Sequence, residues 1–358
     1  MSSSPQLDNR DGSVASAQEP TRILVWDGWR GMAILLVLCG HFYDIKWVWE
    51  DRMGVDIFFV LSGMLMSIIL FEKRMSLRDF YIRRFSRVYP AFLVCVLLMY
   101  AMGAVLGVEF KLSEVFANLT FLRTYLPLEP GVWETHVAVK HLWSLNIEEH
   151  AYVFLSAVSL IIFNRKNVAV VLLIVAIATI VLSFIHYQSL PETEFRLYLI
   201  RTECAVVFIL FSAGYGLLSR QRAWSLPGWA PPVCVAVALL CYAQAAPLWL
   251  IFTVCPVMLG LAVNHLGDMP QLLKKILSNV VLRQFGMWSY SIYLWQQFFF
   301  EYSWRIPGGA IAALLISILA GVLSYNLLEQ PIRRRINNRW SARPVYRASD
   351  SNRLVQAG

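Results

Sequence analysis

Residues 27–41 read DGWRGMAILLVLCGH, the start of an apolar helix that nevertheless carries an aspartate, an arginine and a histidine. Because an α-helix turns by about 100° per residue, the side chains of Arg30 and His41 lie within roughly 20° of each other and about 16 Å apart along its axis. Ionisable side chains in a membrane helix are costly unless they face the protein interior or water, so this pair predicts a functional site. The alternative is that Arg30 extends to the lipid headgroups and His41 caps the far end of the helix.

The composition around this helix is that of a membrane protein. Of 358 residues, 58% are hydrophobic and only 15% are charged, whereas soluble domains have about a quarter charged residues. The net charge of +8 comes from short basic clusters between apolar runs, a pattern that indicates membrane topology and predicts no nucleic-acid partner. The six cysteines lie inside apolar runs without paired or zinc-like spacing, so neither disulfides nor a metal site is predicted.

Apolar runs of nearly the ~20 residues that span a bilayer predict an all-α, polytopic integral membrane protein with about ten transmembrane helices. Their approximate limits are 29–46, 54–71, 88–108, 144–163, 167–186, 197–218, 229–246, 248–265, 285–303 and 308–328. We expect a disordered cytoplasmic tail over 1–21, a transmembrane domain over 22–335 and a basic cytoplasmic tail over 336–358. The long loop 109–143 is expected to lie on or dip into the membrane surface.

Lysines and arginines are concentrated in alternate loops. The loops after the second, fourth, sixth and eighth runs, and the segment after the tenth, hold every basic cluster. Cytoplasmic loops carry an excess of these residues. This alternation therefore predicts that both termini are cytoplasmic, and it supports an even number of spans.

Two further runs carry ionisable residues on their helices. Asp56 lies in the second run and needs a partner, for which His41 and Arg52 are candidates. Arg84 and Arg87 are one helical turn apart at the start of the third run. Two guanidiniums on one face can bind phosphates bidentately and so predict a diphosphate clamp, although simple positive-inside anchoring is the alternative.

The fourth, sixth and ninth runs also carry polar side chains. Glu148 and Glu149 are adjacent and so face different directions, and a carboxylate in this position can orient a histidine or accept a sugar hydroxyl. Arg201 in the sixth run is expected to pair with Glu203, and both Asp56 and Arg201 are expected to lie at the substrate cavity. A polar stripe on the ninth run is formed by Ser289, Tyr293 and Gln296, which could line a cavity or hydrogen-bond to neighbouring helices.

Six motifs, in this order, resemble those of membrane-bound acyltransferase-3 proteins, which include bacterial O-acetyltransferases of lipopolysaccharide, exopolysaccharide, nodulation factors and macrolides. The motifs are DGWRGMAILLVLCGH, GVDIFFVLSGMLMS, FYIRRFSRVYP, HLWSLNIEEHAY, GMWSYSIYLW and SYNLLEQP. The resemblance covers about residues 24–334. The chain departs from the pattern at Gln296, where the ninth-helix motif often ends in histidine, and after Glu149, where His150 and Ala151 follow.

The resemblance implies a multi-pass protein of the bacterial inner membrane that moves an acyl group, most simply acetyl, from cytoplasmic acyl-CoA to a hydroxyl of a cell-surface or exported carbohydrate. No permanently bound cofactor is implied, because acetyl-CoA is a donor substrate. His41 would be the general base, or alternatively would carry a covalent acyl group.

The other site residues also receive roles from the resemblance. Arg30 would hold donor phosphate or stabilise developing negative charge. Arg84 and Arg87 would bind the coenzyme A phosphates. Glu148 or Glu149 would orient His41 or the acceptor.

A transporter or flippase for a sugar or acyl carrier is the alternative function, since intramembrane charges also line substrate paths. Many transporter folds contain internal repeats, and no symmetry between the halves of this sequence is visible. One experiment separates the two functions. An acetyltransferase should label its acceptor in detergent with acetyl-CoA alone, whereas the activity of a proton-coupled transporter should depend on a proton gradient.

The predicted topology can be tested with reporter fusions after Lys166 and after Arg222. Both positions lie in basic loops, so both fusions should report the cytoplasm. A periplasmic signal at either position would contradict the ten-span topology.

Overall fold

The computed structural model describes residues 11–43, 47–127 and 129–340, with side chains from residue 24 onward. These residues are helical and contain no β-strand, which confirms the all-α prediction. The helices are α1 (Asp11–Tyr43), α2 (Glu50–Met66), α3 (Leu77–Val105), α4 (Leu112–Leu119), α5 (Trp143–Ile161), α6 (Arg165–Ser189), α7 (Glu192–Tyr198), α8 (Thr202–Gln221), α9 (Ala230–Cys241), α10 (Trp249–Asn264), α11 (Gln271–Leu277), α12 (Val280–Glu301), α13 (Gly309–Ser324) and α14 (Gln330–Trp340). Turns of π-helix extend α2 over Ser67–Glu72 and join α13 to α14 over Tyr325–Glu329.

Each predicted apolar run coincides with one helix, namely α1, α2, α3, α5, α6, α8, α9, α10, α12 and α13. Among the described residues, 5 helical segments are long and apolar enough to cross a membrane: Glu50–Glu72, Leu77–Val105, Arg165–Ser189, Thr202–Gln221 and Gly309–Trp340. Helices α9 and α10 are apolar but have only 12 and 16 residues. The apolar helices therefore indicate a membrane-embedded protein, while the count of ten crossings and the cytoplasmic termini stay predictions.

The ends of the helical region differ from the predicted domain boundaries. Helix α1 begins at Asp11, well before the expected boundary at residue 22. Extending an existing helix costs far less than starting one, so a polar segment can be helical when it continues into a stable apolar helix. At the other end α14 continues to Trp340. The remaining parts of the two predicted tails, 1–10 and 341–358, lie outside the described residues.

The long loop 109–143 contains a short amphipathic helix, α4. Its Leu112 and Phe116 are exposed, whereas Glu114 and Asn118 are buried. Asn118 donates a hydrogen bond to the Tyr100 hydroxyl of α3 at 2.8 Å. The polar side of α4 therefore faces the protein and its apolar side faces outward, an arrangement that suits a helix lying at a membrane surface.

Close contact between α1 and α12 positions the functional region. A Cβ atom on Gly31 would lie 1.9 Å from the Leu282 carbonyl oxygen, and one on Gly286 would lie 1.8 Å from the Asp27 carbonyl oxygen. Small residues allow such backbone contact between membrane helices. The same two helices meet again where His41 contacts Gln296, ten residues further along each of them. The glycine contact therefore sets the register that brings His41 to Gln296.

Replacing Gly286 with valine should force α1 and α12 apart, because no backbone oxygen can move far enough to admit a Cβ. Overpacking of this kind costs typically about 1–3 kcal/mol, so the purified variant should unfold at a lower temperature. Gly267→Val is the matched control, since a Cβ at Gly267 meets no atom within 4 Å. Equal unfolding temperatures for the two variants would contradict the proposed role of this contact.

Candidate active site

Two cavities lie within the helix bundle. The larger one, which we call the histidine cavity, has a volume of about 590 Å³ and is lined by residues that include His41, His141, Trp49, Trp133 and Trp143. The smaller one, the arginine pocket, has a volume of about 100 Å³ and is lined by residues that include Arg30, Arg84, Arg87, Glu148 and Tyr152. Val55 and Tyr293 line both cavities. The two cavities therefore adjoin each other at these two side chains.

His41 is held in a defined orientation on the wall of the histidine cavity. Its Nδ1 donates to Oε1 of Gln296 at 2.7 Å, and its ring stacks on Phe300 with the ring centroids 5.0 Å apart. A hydrogen bond at one ring nitrogen fixes which nitrogen carries the proton. Because an amide oxygen can only accept, the neutral His41 ring has its lone pair on Nε2, where a base needs it.

Helix α1 supplies one ionisable side chain to each cavity. Arg30 lines the arginine pocket and His41 lines the histidine cavity. The Arg30 guanidinium lies 3.6 Å from the Asp27 carboxylate, one turn earlier on the same helix. The sequence predicts that Arg30 and His41 lie on one face of α1. In the structure, this face is directed toward both cavities.

Arg84 is the centre of a buried ion cluster in the arginine pocket. Its guanidinium lies 2.7 Å from Glu149 and 3.3 Å from Glu148, and it stacks over the Tyr152 ring at 3.6 Å. Ser62 donates a hydrogen bond of 2.5 Å to Glu148. Glutamates that face different directions can both reach one guanidinium because its donors point along several edges.

This cluster changes the assignment of the two glutamates. We expected one of them to orient His41 or the acceptor, but both carboxylates are bound to Arg84, and Gln296 holds His41 instead. Only Glu148 of the two lines the arginine pocket. A donor phosphate that used Arg84 would have to compete with two carboxylates.

Arg87 lies in the same pocket but has a different environment. It lines the arginine pocket together with Arg30, and no ion pair joins it to any of the described residues. The two arginines of the predicted diphosphate clamp are therefore not equivalent. Arg87 forms no hydrogen bond or ion pair with the described residues and interacts only at longer range with Glu329, whereas Arg84 is bound to two carboxylates.

Asp56 and Arg201 both lie outside the cavities. Asp56 is fully buried, accepts from Arg52 at 2.8 Å and from the Tyr242 hydroxyl at 2.7 Å, so Arg52 rather than His41 is its partner. Arg201 lies 3.9 Å from Glu203, with its side chain 44% exposed. Arg201 therefore forms the expected pair with Glu203 but does not line a substrate cavity, because it precedes the buried part of α8.

The polar stripe predicted on α12 runs from one cavity to the other. Ser289 lines the arginine pocket, Tyr293 lines both cavities, and Gln296 holds His41. The Tyr293 hydroxyl donates to the His141 carbonyl oxygen at 2.6 Å and lies 2.7 Å from Ser144 Oγ. These bonds fix the Tyr293 ring between the two cavities.

Several residues of the site were missed in the sequence. Tyr152 follows Glu148 by one helical turn, which was a usable signal, because it places both on one face of α5. His141 lies two helical turns before Glu148, and Gln297 follows Gln296 in the ninth run, so both were visible as polar residues without a predicted role, whereas Glu301 gave no signal. Gln297 donates to Glu301 at 2.9 Å, and Lys140 lies 3.6 Å from the same carboxylate. These contacts join α12 to the loop before α5, and local sequence spacing does not report contacts between distant segments.

Comparisons with known proteins identify the same family as the sequence motifs do. The family described as an acyltransferase domain matches residues 23–326. A protein named peptidoglycan O-acetyltransferase OatA from Listeria monocytogenes is 26% identical, over 86% of this chain and 55% of its own length. One named O-acetyltransferase OatA from Staphylococcus aureus is 27% identical, over 86% of this chain and 57% of its own length. The chain thus spans little more than half the length of these relatives, and no solved structure matches it. The family match covers most of the sequence, and the chain belongs to the membrane-bound acyltransferase-3 family.

Proposed function

We propose that this chain is a membrane-embedded O-acyltransferase that moves an acyl group, most simply acetyl, from acyl-CoA to a hydroxyl of a cell-envelope carbohydrate. The observation that carries the proposal is the junction at Tyr293, where a cation-lined pocket adjoins a cavity that contains an oriented histidine. The names of the relatives favour O-acetyl transfer to a polysaccharide such as peptidoglycan.

The arginine pocket suits the thioester end of the donor. Its volume of about 100 Å³ admits an extended chain but not a nucleotide, so the nucleotide of coenzyme A would stay outside the pocket. Arg30 and Arg87 would attract the phosphates to the entrance, because guanidiniums bind phosphate oxygens in pairs. If the basic loops are cytoplasmic, as predicted, this entrance faces the cytoplasm, where acyl-CoA is available.

The histidine cavity suits the acceptor. Its aromatic walls, Trp49, Trp133, Trp143 and Phe300, can cover the faces of sugar rings, and its polar side chains can bind hydroxyl groups. His41 Nε2 would take the proton of the acceptor hydroxyl as its oxygen attacks the thioester carbonyl carbon. The new C–O bond forms, the C–S bond breaks, and the thiolate leaves with the proton that His41 had taken. The products are the O-acyl carbohydrate and free coenzyme A.

His41→Asn should test the catalytic base. Asparagine can keep a hydrogen bond to Gln296 but cannot accept a proton, and a general base contributes about 10²–10⁴-fold to turnover. We therefore expect a loss of that size in acetyl transfer to an oligosaccharide of alternating N-acetylglucosamine and N-acetylmuramic acid, measured with purified protein and acetyl-CoA. His186→Asn is the control, because His186 lines neither cavity and its side chain hydrogen-bonds to Leu182 of its own helix and stacks on Tyr198. Near-normal turnover by folded His41→Asn would remove His41 from the mechanism and favour the transporter.

Replacing Arg84 and Arg87 with alanine, one at a time, should have different effects on the KM for acetyl-CoA and on stability. Arg87→Ala should raise the KM for acetyl-CoA and lower the unfolding temperature less than Arg84→Ala does, since Arg87 forms no ion pair with the described residues and only interacts at longer range with the Glu329 carboxylate. Arg84→Ala should destabilise the fold by about 3–5 kcal/mol, because it leaves buried carboxylates without their partner.

Adding Glu149→Gln to Arg84→Ala should recover part of that stability, because one uncompensated charge is then removed. The measurements are thermal unfolding in detergent and steady-state kinetics on the same preparations. If Arg87→Ala leaves the KM unchanged, Arg87 is a topology anchor and not a donor ligand.

A further inference from the structure

His141 is a buried residue whose ring nitrogens form no hydrogen bond of ordinary geometry with the described residues, although the backbone of Leu294 lies close enough to interact with the ring. It lies in the short turn Lys140–Leu142 that leads into α5, and it is 4% exposed. Neither of its ring nitrogens meets a hydrogen-bond partner among the described residues. Buried polar groups are nearly always hydrogen-bonded, so an unpaired imidazole next to a cavity requires an explanation.

The His141 ring is nevertheless held firmly. Tyr293 packs against it edge to face, with the ring centroids 5.2 Å apart. The Tyr293 hydroxyl also donates to the backbone carbonyl of His141 at 2.6 Å. The ring lines the histidine cavity together with His41. Because Tyr293 also lines the arginine pocket, His141 stands where an acyl group would pass from the donor pocket toward the acceptor.

The other strong donors on the wall of the histidine cavity are already bound. Arg52 is paired with Asp56, Lys140 with Glu301, and Arg196 with Glu192. Gln297 donates to Glu301. His41 uses Nδ1 for Gln296 and would need Nε2 for the acceptor proton. Among the imidazole and amide groups described on this wall, His141 is thus the one whose nitrogens form no hydrogen bond of ordinary geometry with the described residues.

We propose that His141 is a second catalytic histidine, whose N–H donates to the oxyanion that forms when the acceptor attacks the acyl carbonyl. This inference rests on the proposed acyl transfer. As the acceptor oxygen bonds to the carbonyl carbon, the π electron pair moves to the carbonyl oxygen, and His141 stabilises that charge without giving up its proton. When the carbonyl re-forms, the C–S bond breaks and the thiolate takes the proton held by His41. A fixed donor at this point favours the transition state over the ground state.

The test compares His141→Phe and His141→Gln with the unsubstituted protein, using acetyl-CoA and the same oligosaccharide probe. Loss of one oxyanion donor costs about 10²–10³-fold in kcat, so His141→Phe should lose that much with the KM for acetyl-CoA little changed. His141→Gln keeps an N–H and should be at least tenfold faster than His141→Phe. The pH dependence of kcat/KM that is due to His41 should persist in the glutamine variant. His186→Phe is the matched control and should be fully active.

The outcomes separate this inference from the proposed function. If the unsubstituted protein neither releases thiol nor esterifies the probe, the proposed function fails. If it is active and folded His141→Phe keeps its kcat, the role of His141 is refuted. An increase in the KM for the oligosaccharide alone would make His141 an acceptor-binding residue and would also refute the oxyanion role. Should His141→Phe not fold, His141→Met removes the donor with a flexible apolar chain, and normal kcat in that variant refutes the role equally.

Discussion

The cost of an unpaired charge inside an apolar helix bundle is the constraint on which the rest of this structure depends. Most buried charges meet it by pairing within the protein, as Asp56 does with Arg52 and as Arg84 does with Glu148 and Glu149. Arg87 and His141 do not pair in this way. Both residues line a cavity, and the two cavities adjoin each other at Tyr293. The buried Glu50 also lacks an ion pair among the described residues, but it lines neither cavity. In the proposed function, a substrate would supply the partners that Arg87 and His141 lack.

Two helices place these groups relative to each other. Backbone contact at Gly31 and Gly286 holds α1 and α12 in one register, so that His41 meets Gln296. Helix α1 carries Arg30 to one cavity and His41 to the other, while α12 carries Ser289, Tyr293 and Gln296 along the same path. The arginine pocket and the histidine cavity are thus both lined by this one helix pair, and a change at the glycine contact should disturb both.

Local periodicity predicted the features that lie within a single helix. The common face of Arg30 and His41 and the polar stripe of α12 follow from helical geometry alone. Partners on different helices could not be predicted in this way: Glu148 was expected near His41 but is bound to Arg84, and Arg201 was expected in a cavity but lies at the surface. Gln296 was expected in the polar stripe and stood out because the family pattern often has histidine there, but its role in orienting His41 could not be predicted. Such pairings depend on how distant segments pack, which spacing along one helix does not encode.

The central claim is that an acyl group passes from the arginine pocket to an acceptor in the histidine cavity, on the other side of Tyr293. The most direct measurement uses the purified protein in sealed vesicles of uniform orientation, with radiolabelled acetyl-CoA on the side of the basic loops and the oligosaccharide only on the opposite side. The account predicts a labelled acetyl ester on the oligosaccharide, one for each free thiol released beyond the background without acceptor. Label that appears only when donor and acceptor share the same side would contradict it.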